Sequence, residues 1–177
     1  MRHAFGLPVV LLASLPAAAV MQAPTEYQTK LDLISKFTRF VEWPGQSAVA
    51  NAQSPFILGV IGRSPFGDEL DRYFLKQPLK GKGVQIRYCR TPEDLDTCDL
   101  LFICASEKDR LKGILARTRQ KPVLTVSDTP GFAQAGVMVN FVKEGGRLNF
   151  EINAATAKEG GIRFASGLLQ VAHVVAS

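Results

Sequence analysis

The sequence predicts an α/β fold: a compact sandwich with a mixed, mainly parallel central sheet, helices on both faces and a C-terminal antiparallel hairpin. Three observations lead there. Four short apolar runs, "FILGVIG" from Phe56, "VQIRYC" from Val84, "DLLFIC" from Asp99 and "PVLTVS" from Pro122, lack strict alternation, as parallel strands buried on both faces do. Helix-like segments, "FGDELDRYFLKQ" and "SEKDRLKGILARTRQ", separate the first run from the second and the third from the fourth, and that alternation builds α/β layers. Near the end, "VMVNFV" and "RLNFEIN" flank Lys143-Glu144-Gly145-Gly146, a hairpin signal.

Taken in order, the chain begins with Arg2 and His3 and then the apolar run "FGLPVVLLASLPAAAV" from Phe5 to Val20. The run is short, broken by two prolines, and ends on Ala17-Ala18-Ala19. That is the pattern of a secretory signal peptide, residues 1–19, rather than of a membrane helix, which needs about 20 unbroken apolar residues. Cleavage after Ala19 would leave residues 20–177 as a single domain outside the cytoplasm, long enough to bury a real core. No other run is apolar for long enough to span a bilayer.

From Thr25 to Trp43 the apolar residues Tyr27, Leu31, Ile34, Phe37, Phe40 and Val41 recur at steps of three and four, the mark of a helix with one wide apolar face. Pro44 and Gly45 would end it, making Trp43 its last residue. Trp43 is then either the cap of a core helix or a partner contact. "QSAVANAQS" reads as a polar loop. The crossover from the second strand to the third has room for at most one helical turn, around Pro92 to Leu95. In the hairpin, Leu148, Phe150 and Ile152 face one way and Arg147, Asn149 and Glu151 the other, which suits a sheet edge. Asn153 can cap a short helix, "AATAKE", closed by Gly160-Gly161. A final helix, "ASGLLQVAHVVAS", would align Ala165, Leu168, Leu169, Ala172 and Val175 and place His173 within it.

Composition narrows the chemistry. After loss of Arg2 the chain would hold 20 Lys and Arg against 16 Asp and Glu, a net +4 spread without a block of like charges. Nucleic acid, which needs a clustered patch, is a poor partner for it. "GRSPFGDE" spaces two glycines as a phosphate loop does, but Asp68 and Glu69 stand where the lysine and hydroxyl belong. There is no G-x-S-x-G elbow and no C-x-x-C, and His173 is the one histidine beyond the leader. Triad, metal and thiol-exchange sites therefore lack their parts, and neither cofactor nor metal is expected. The carboxylates Asp68, Glu69, Asp71, Glu93, Asp94 and Asp96 lie at helix starts or in polar loops, where helix dipole and solvation account for them. An enzyme is thus not expected. The loops "GRSPFG" and "ASEKD" could border the crevice at the C-terminal ends of the parallel strands, where open α/β sheets hold small ligands.

Cys89, Cys98 and Cys104 are too few for a disulfide scaffold but enough for one bridge in an oxidising compartment. Cys104 ends the run "LLFIC" and reads as a buried thiol. A Cys89–Cys98 bridge would staple the loop "RTPEDLDT". Parallel strands on either side would put the two cysteines at opposite ends of the sheet, beyond the roughly 7 Å Cα limit, so the pairing stays open.

Three segments together, "KFTRFVEWP", "CDLLFI" and the tail "PVLTVSDTPGFAQAGVMVNFVKEGGRLNFEINAATAKEGGIRFASGLLQVA", resemble the YfiR/HmsC-like family of small periplasmic proteins. The resemblance spans nearly all of the mature chain and departs at Gly160-Gly161 and "FASG". It implies a regulator: a periplasmic repressor that contacts the sensor domain of an inner-membrane diguanylate cyclase and restrains cyclic-di-GMP synthesis and biofilm formation. It further implies sequestration by an outer-membrane, peptidoglycan-associated lipoprotein, a disulfide link to periplasmic redox state, and a homodimer. Of the cysteines, Cys98 matches one common in the family. A repressor needs apolar or aromatic anchors at its interface. Phe132, in the turn-rich "TPGFAQAG", and Trp43 are the candidates.

Overall fold

A computed structural model of the chain describes residues 25–175. The expected leader and its cleavage site lie outside the described residues. Helix α1 (Glu26–Phe37) starts at Thr25, whose hydroxyl accepts the Gln28 N–H while the Gln28 side chain accepts the Thr25 N–H. This capping box is worth about 1 kcal/mol. The expected continuation to Trp43 does not form. A 3₁₀ turn (Thr38–Phe40) intervenes and the chain becomes β1 (Val41–Glu42).

Beyond the loop come β2 (Phe56–Ile61), α2 (Glu69–Phe74), β3 (Val84–Cys89), the single-turn α3 (Pro92–Leu95) and β4 (Leu100–Ile103). A 3₁₀ segment (Ala105–Arg110) leads into α4 (Leu111–Thr118), then β5 (Leu124–Ser127), the hairpin of β6 (Val139–Glu144) and β7 (Arg147–Ile152), and α5 (Ala154–Glu159). The chain closes with β8 (Arg163–Phe164), α6 (Ser166–Val171) and β9 (His173–Val174).

The main sheet runs β3-β2-β4-β5-β6-β7-β9, and β1 pairs antiparallel with β8 in a separate two-stranded ribbon. Neighbours from β3 to β6 are parallel, and β6 and β7 are antiparallel. Gly145 and Gly146, both at positive φ, form the two-residue turn between Glu144 and Arg147, the geometry that matches strand twist. The fold is the mixed, mainly parallel sheet that the sequence predicts.

Successive residues of a strand point to opposite faces, and the core divides accordingly. Leu58 and Val60 join Phe102, Val126, Phe141 and α1 on one face. Ile61, Leu101 and Ile103 join Leu95, Ile114 and Phe132 under α3 and α4 on the other. Asn153 caps α5 as expected, its side chain accepting the Thr156 N–H.

Two helix ends differ from expectation for one reason, long-range strand pairing. Val41 and Glu42 are claimed by Phe164 and Arg163, so α1 stops early and Phe40, expected on the buried face, is 50% exposed. The final helix stops at Val171. His173 and Val174 extend beside Glu151 and Ile152 of β7, covering part of an otherwise open edge. His173 is therefore a strand residue and not a helical one.

Candidate functional site

At the C-terminal ends of the parallel strands the loop after β2 fills one side of the crevice, while a cavity of about 400 Å³ remains on the side of α3 and α4, lined by Ile61, Leu95, Asp109, Arg110, Ile114 and Arg117. Gly62, at φ +95, follows β2, and a Cβ there would lie 2.4 Å from Ser106 Oγ and 2.8 Å from Glu107 Cγ. The Ser106 hydroxyl accepts the Arg63 N–H at 2.9 Å, and buried Glu107 pairs with Arg110 at 3.2 Å. In the same loop Phe66 turns inward, its ring edge-on to Phe102 at 4.8 Å and to Tyr27 at 5.4 Å. The glycine-spaced loop, which Asp68 and Glu69 already make unsuited to phosphate, is thus a hydrophobic plug on its side of the sheet.

Four of the six carboxylates singled out in the sequence have partners for their side chains. Asp71 accepts the Tyr88 hydroxyl at 2.7 Å, and Glu69 accepts that of Thr25 at 3.1 Å. Asp94 accepts the backbone N–H groups of Arg90 and Thr91, which lower its pKa. Asp96 is held by Arg117 and Lys121, which depress its carboxyl to about 2. Among the described residues no group of three or more His, Cys, Asp and Glu side chains could hold a metal ion.

The three cysteines are all buried and unbridged. Cys89 and Cys98 lie in the core under α3 and α4, while Cys104 lies in the core on the other face. The sheet stands between, so Cys104 cannot pair with either, and burial pushes its thiol up to about 12. The sulfurs of Cys89 and Cys98 are 3.8 Å apart. The separation expected of parallel strand ends does not arise, because the α3 crossover folds back over the sheet and delivers Cys98 above the middle of β2.

That meeting point is Gly59. A Cβ at this position would lie 2.4 Å from Cys98 Sγ and 3.1 Å from Cys89 Sγ, so a missing side chain in a central strand makes room for two sulfurs. Cys98 also donates to the Asp94 carbonyl at 3.3 Å. The hydrogen bond from Cys98 lowers the Cys89 thiol, and that of Cys98 is pushed up by Cys89 and by burial. The pairing favours one thiolate and opposes a second, since two thiolates cannot share one apolar site.

The two residues considered as partner anchors behave differently. Phe132 is 3% exposed and packs in the core with Ile114 and Val137. The turn-rich segment folds inward through bonds from the Phe132 N–H to the Thr129 carbonyl and from the Val137 N–H to the Phe132 carbonyl, so Phe132 cannot be a surface anchor in this conformation. Trp43 is half-buried. Its ring meets Phe56 edge-on at 5.7 Å, its Nε1–H donates to the Asp99 carbonyl at 3.3 Å, and Lys80 lies 5.8 Å over it. It packs on the core, but from β1 and the turn beyond rather than from a helix end. The large apolar side chains that face solvent are Phe40, Leu75, Tyr88, Val171 and Val174. Sequence periodicity missed Phe40 because it read that residue as helical.

The buried ionisable side chains of Lys30, Lys82, Asp99 and Glu107 went unread in the sequence. Lys30 of α1 reaches Asp128, just past β5, at 2.7 Å and Glu26 at 2.8 Å, with its ammonium 4.4 Å over the Tyr27 ring. Burial opposes the charge on Lys30, but its carboxylate partners win and raise its pKa. The helix is thereby tied to the sheet.

A family model described as YfiR/HmsC-like matches residues 27–173. No curated protein matches the chain. Among solved structures, a conserved domain protein from Vibrio cholerae O1 biovar El Tor aligns at 12% identity and a TM-score of 0.56, over 84% of this chain and 59% of that one. An ABC domain from Streptococcus pneumonia, solved in complex with L-Trp, aligns at 14% identity and a TM-score of 0.49, over 77% of this chain and 62% of that one. The chain spans less than two thirds of either. The first likeness shows a shared α/β fold.

Proposed function

We propose that this chain, which belongs to the YfiR/HmsC-like family, represses an inner-membrane diguanylate cyclase by binding that cyclase's periplasmic sensor domain. The family is one of periplasmic regulators of cyclic-di-GMP signalling, and its model spans nearly the whole described domain. That match carries the proposal. Among the described residues no helix is long and apolar enough to cross a membrane, which fits a protein exported behind a signal peptide that acts on a membrane protein by contact.

Such a regulator needs a greater affinity for the restrained state of its partner than for the active one. A preference of a few kcal/mol suffices. The proposal includes a homodimer, release through an outer-membrane, peptidoglycan-associated lipoprotein, and control of biofilm formation. It also includes a Cys89–Cys98 bridge as the link to periplasmic redox state, supported by the 3.8 Å approach of the two sulfurs. Loss of the gene in a strain that expresses the cognate cyclase should raise cellular cyclic-di-GMP, and re-expression of the exported chain should lower it again. An unchanged nucleotide level on deletion defeats the proposal. At the interface, Phe40→Asp removes an exposed anchor without touching the core. It should weaken capture of the sensor domain while leaving the unfolding midpoint in place.

A further inference from the structure

A second cavity system lies away from the strand-end crevice, along the outer side of α4. A cleft of about 480 Å³ is framed by Lys108, Lys112 and Arg119 over Leu111, Leu115 and Ala135, and none of its lining residues is acidic. Behind it, sharing Leu115, Arg119 and Ala135, a recess of about 170 Å³ reaches Thr118, Thr125 and Met138. The recess is bounded by α4, β5, the loop before β6 and α5. Its polar walls are satisfied: the Thr118 hydroxyl donates to the Ile114 carbonyl, and Thr125 Oγ1 accepts the Met138 N–H. What remains inside is largely apolar surface.

Two cations, Lys108 and Lys112, line the mouth. They stand one turn apart, where like charges repel. Neither has an ion pair among the described residues, whereas Arg117 and Lys121 on the same arm close on Asp96, and Arg119 closes on Glu159 at the cleft border. An anion entering between the two ammonium groups would relieve that repulsion, and the recess behind offers a largely apolar wall. A cavity of about 150 Å³ accepts one benzene ring, so 170 Å³ takes a ring or a short branched chain.

We propose that this cleft and recess bind a small monoanion with an apolar body. The carboxylate head would sit at Lys108 and Lys112, and the ring or chain would point past Leu115 toward Met138. The inference does not rest on the regulatory reading, because it concerns ligand capture by the isolated chain.

Benzoate is the probe, titrated into the chain with backbone amide resonances as the readout. The amides of Leu115, Ala135 and Gly136 should move, with a Kd on the order of 1 mM or tighter. Lys108→Gln combined with Lys112→Gln should weaken binding at least about tenfold, and Ala135→Trp, a change at an exposed position, should block it without unfolding the chain. Benzyl alcohol, of the same shape but neutral, should bind at least about tenfold more weakly. Shifts centred elsewhere, undiminished binding in the double variant, or no saturable binding at all would overturn the proposal. So would equal affinity for inorganic phosphate with the same amides moving, because that result describes an anion site with no use for the recess.

Discussion

Replacing Gly59 by alanine tests the account of the cysteine pair. Only one methyl group is added, in a central strand whose backbone any residue can adopt, and the loss of chain entropy alone would favour Ala by about 0.5–1 kcal/mol. Against that stands the overlap. The new Cβ would lie 2.4 Å from Cys98 Sγ and 3.1 Å from both Cys89 Sγ and Leu101 Cδ1, and overpacking of this kind costs about 1–3 kcal/mol. Cys98 has little freedom to yield, because Asp94 and the α3 turn fix it from behind. The net expectation is a loss of about 1–2 kcal/mol, or roughly 2–8 °C in Tm for a domain of this size. Cys98→Ala deletes the atom in the way. The double variant should therefore be more stable than the sum of the single changes allows, by about 1 kcal/mol or more. Urea unfolding of the reduced protein, followed by Trp43 fluorescence and circular dichroism, measures all three with a common m-value. A neutral Gly59→Ala, or strict additivity in the double variant, would refute the idea that Gly59 makes room for the sulfurs.

Other expectations follow from the same geometry. Mild oxidation should remove two titratable thiols and leave one, Cys104, and closing the short Cys89–Cys98 loop should stabilise the fold by about 2–3 kcal/mol; three reactive thiols after oxidation, counted under denaturing conditions, would exclude the bridge. Lys30→Met leaves Asp128 buried beside an apolar side chain and should cost about 3 kcal/mol, read by chemical denaturation, with Lys36→Met as the surface control. The raised pKa of Lys30 means its contribution is complete below the ordinary value of 10.5 and is lost as pH climbs through the higher folded value. The lowered pKa of Glu26, set first by Lys143, means its contribution is complete above 4.5 and fades as pH falls below that. Tm against pH should therefore decline at both extremes, and Lys30→Met should flatten the alkaline decline. Trp43→Ala should cost about 2 kcal/mol, below the ~3–5 kcal/mol of a fully buried aromatic, whereas Trp43→Phe should cost well under that, because the Asp99 carbonyl still accepts the Leu124 N–H.

Strands β2, β4 and β5 were legible in the sequence because burial on both faces writes itself as an uninterrupted apolar run. β3 lies at the sheet edge with Gln85 and Tyr88 exposed, and its β-branched and aromatic residues marked it instead. The hairpin was legible because two consecutive glycines leave little choice of turn. What could not be read depends on partners far away along the chain. Val41 looks helical until Phe164 claims it, and His173 looks helical until Glu151 does. Phe132 sits among turn residues that usually mark a surface, yet that loop closes over the face beneath α4 and buries it. The cysteine pair had a visible signal that periodicity does not weigh: a glycine within a fully apolar strand, "FILGVIG", where close approach by another part of the chain is the usual reason.

The ties around the β3–β4 crossover decide what a redox input could do. Asp94 caps the turn through two backbone N–H groups, Asp96 binds Arg117 and Lys121, and Cys98 already rests over Gly59 with its sulfur 3.8 Å from that of Cys89. None of the first three ties needs the bridge. Forming it should therefore require side-chain rotation and little movement of the backbone, so the oxidised and reduced proteins would share one conformation and differ in stability. A redox effect on partner binding would then act through the lifetime of the folded chain rather than through a rearranged surface. Backbone amide spectra of the two forms decide this. Changes confined to Gly59, Leu101 and the segment from Cys89 to Cys98 support a stabilising staple, and displaced resonances in α4 or β1 would show a conformational switch instead.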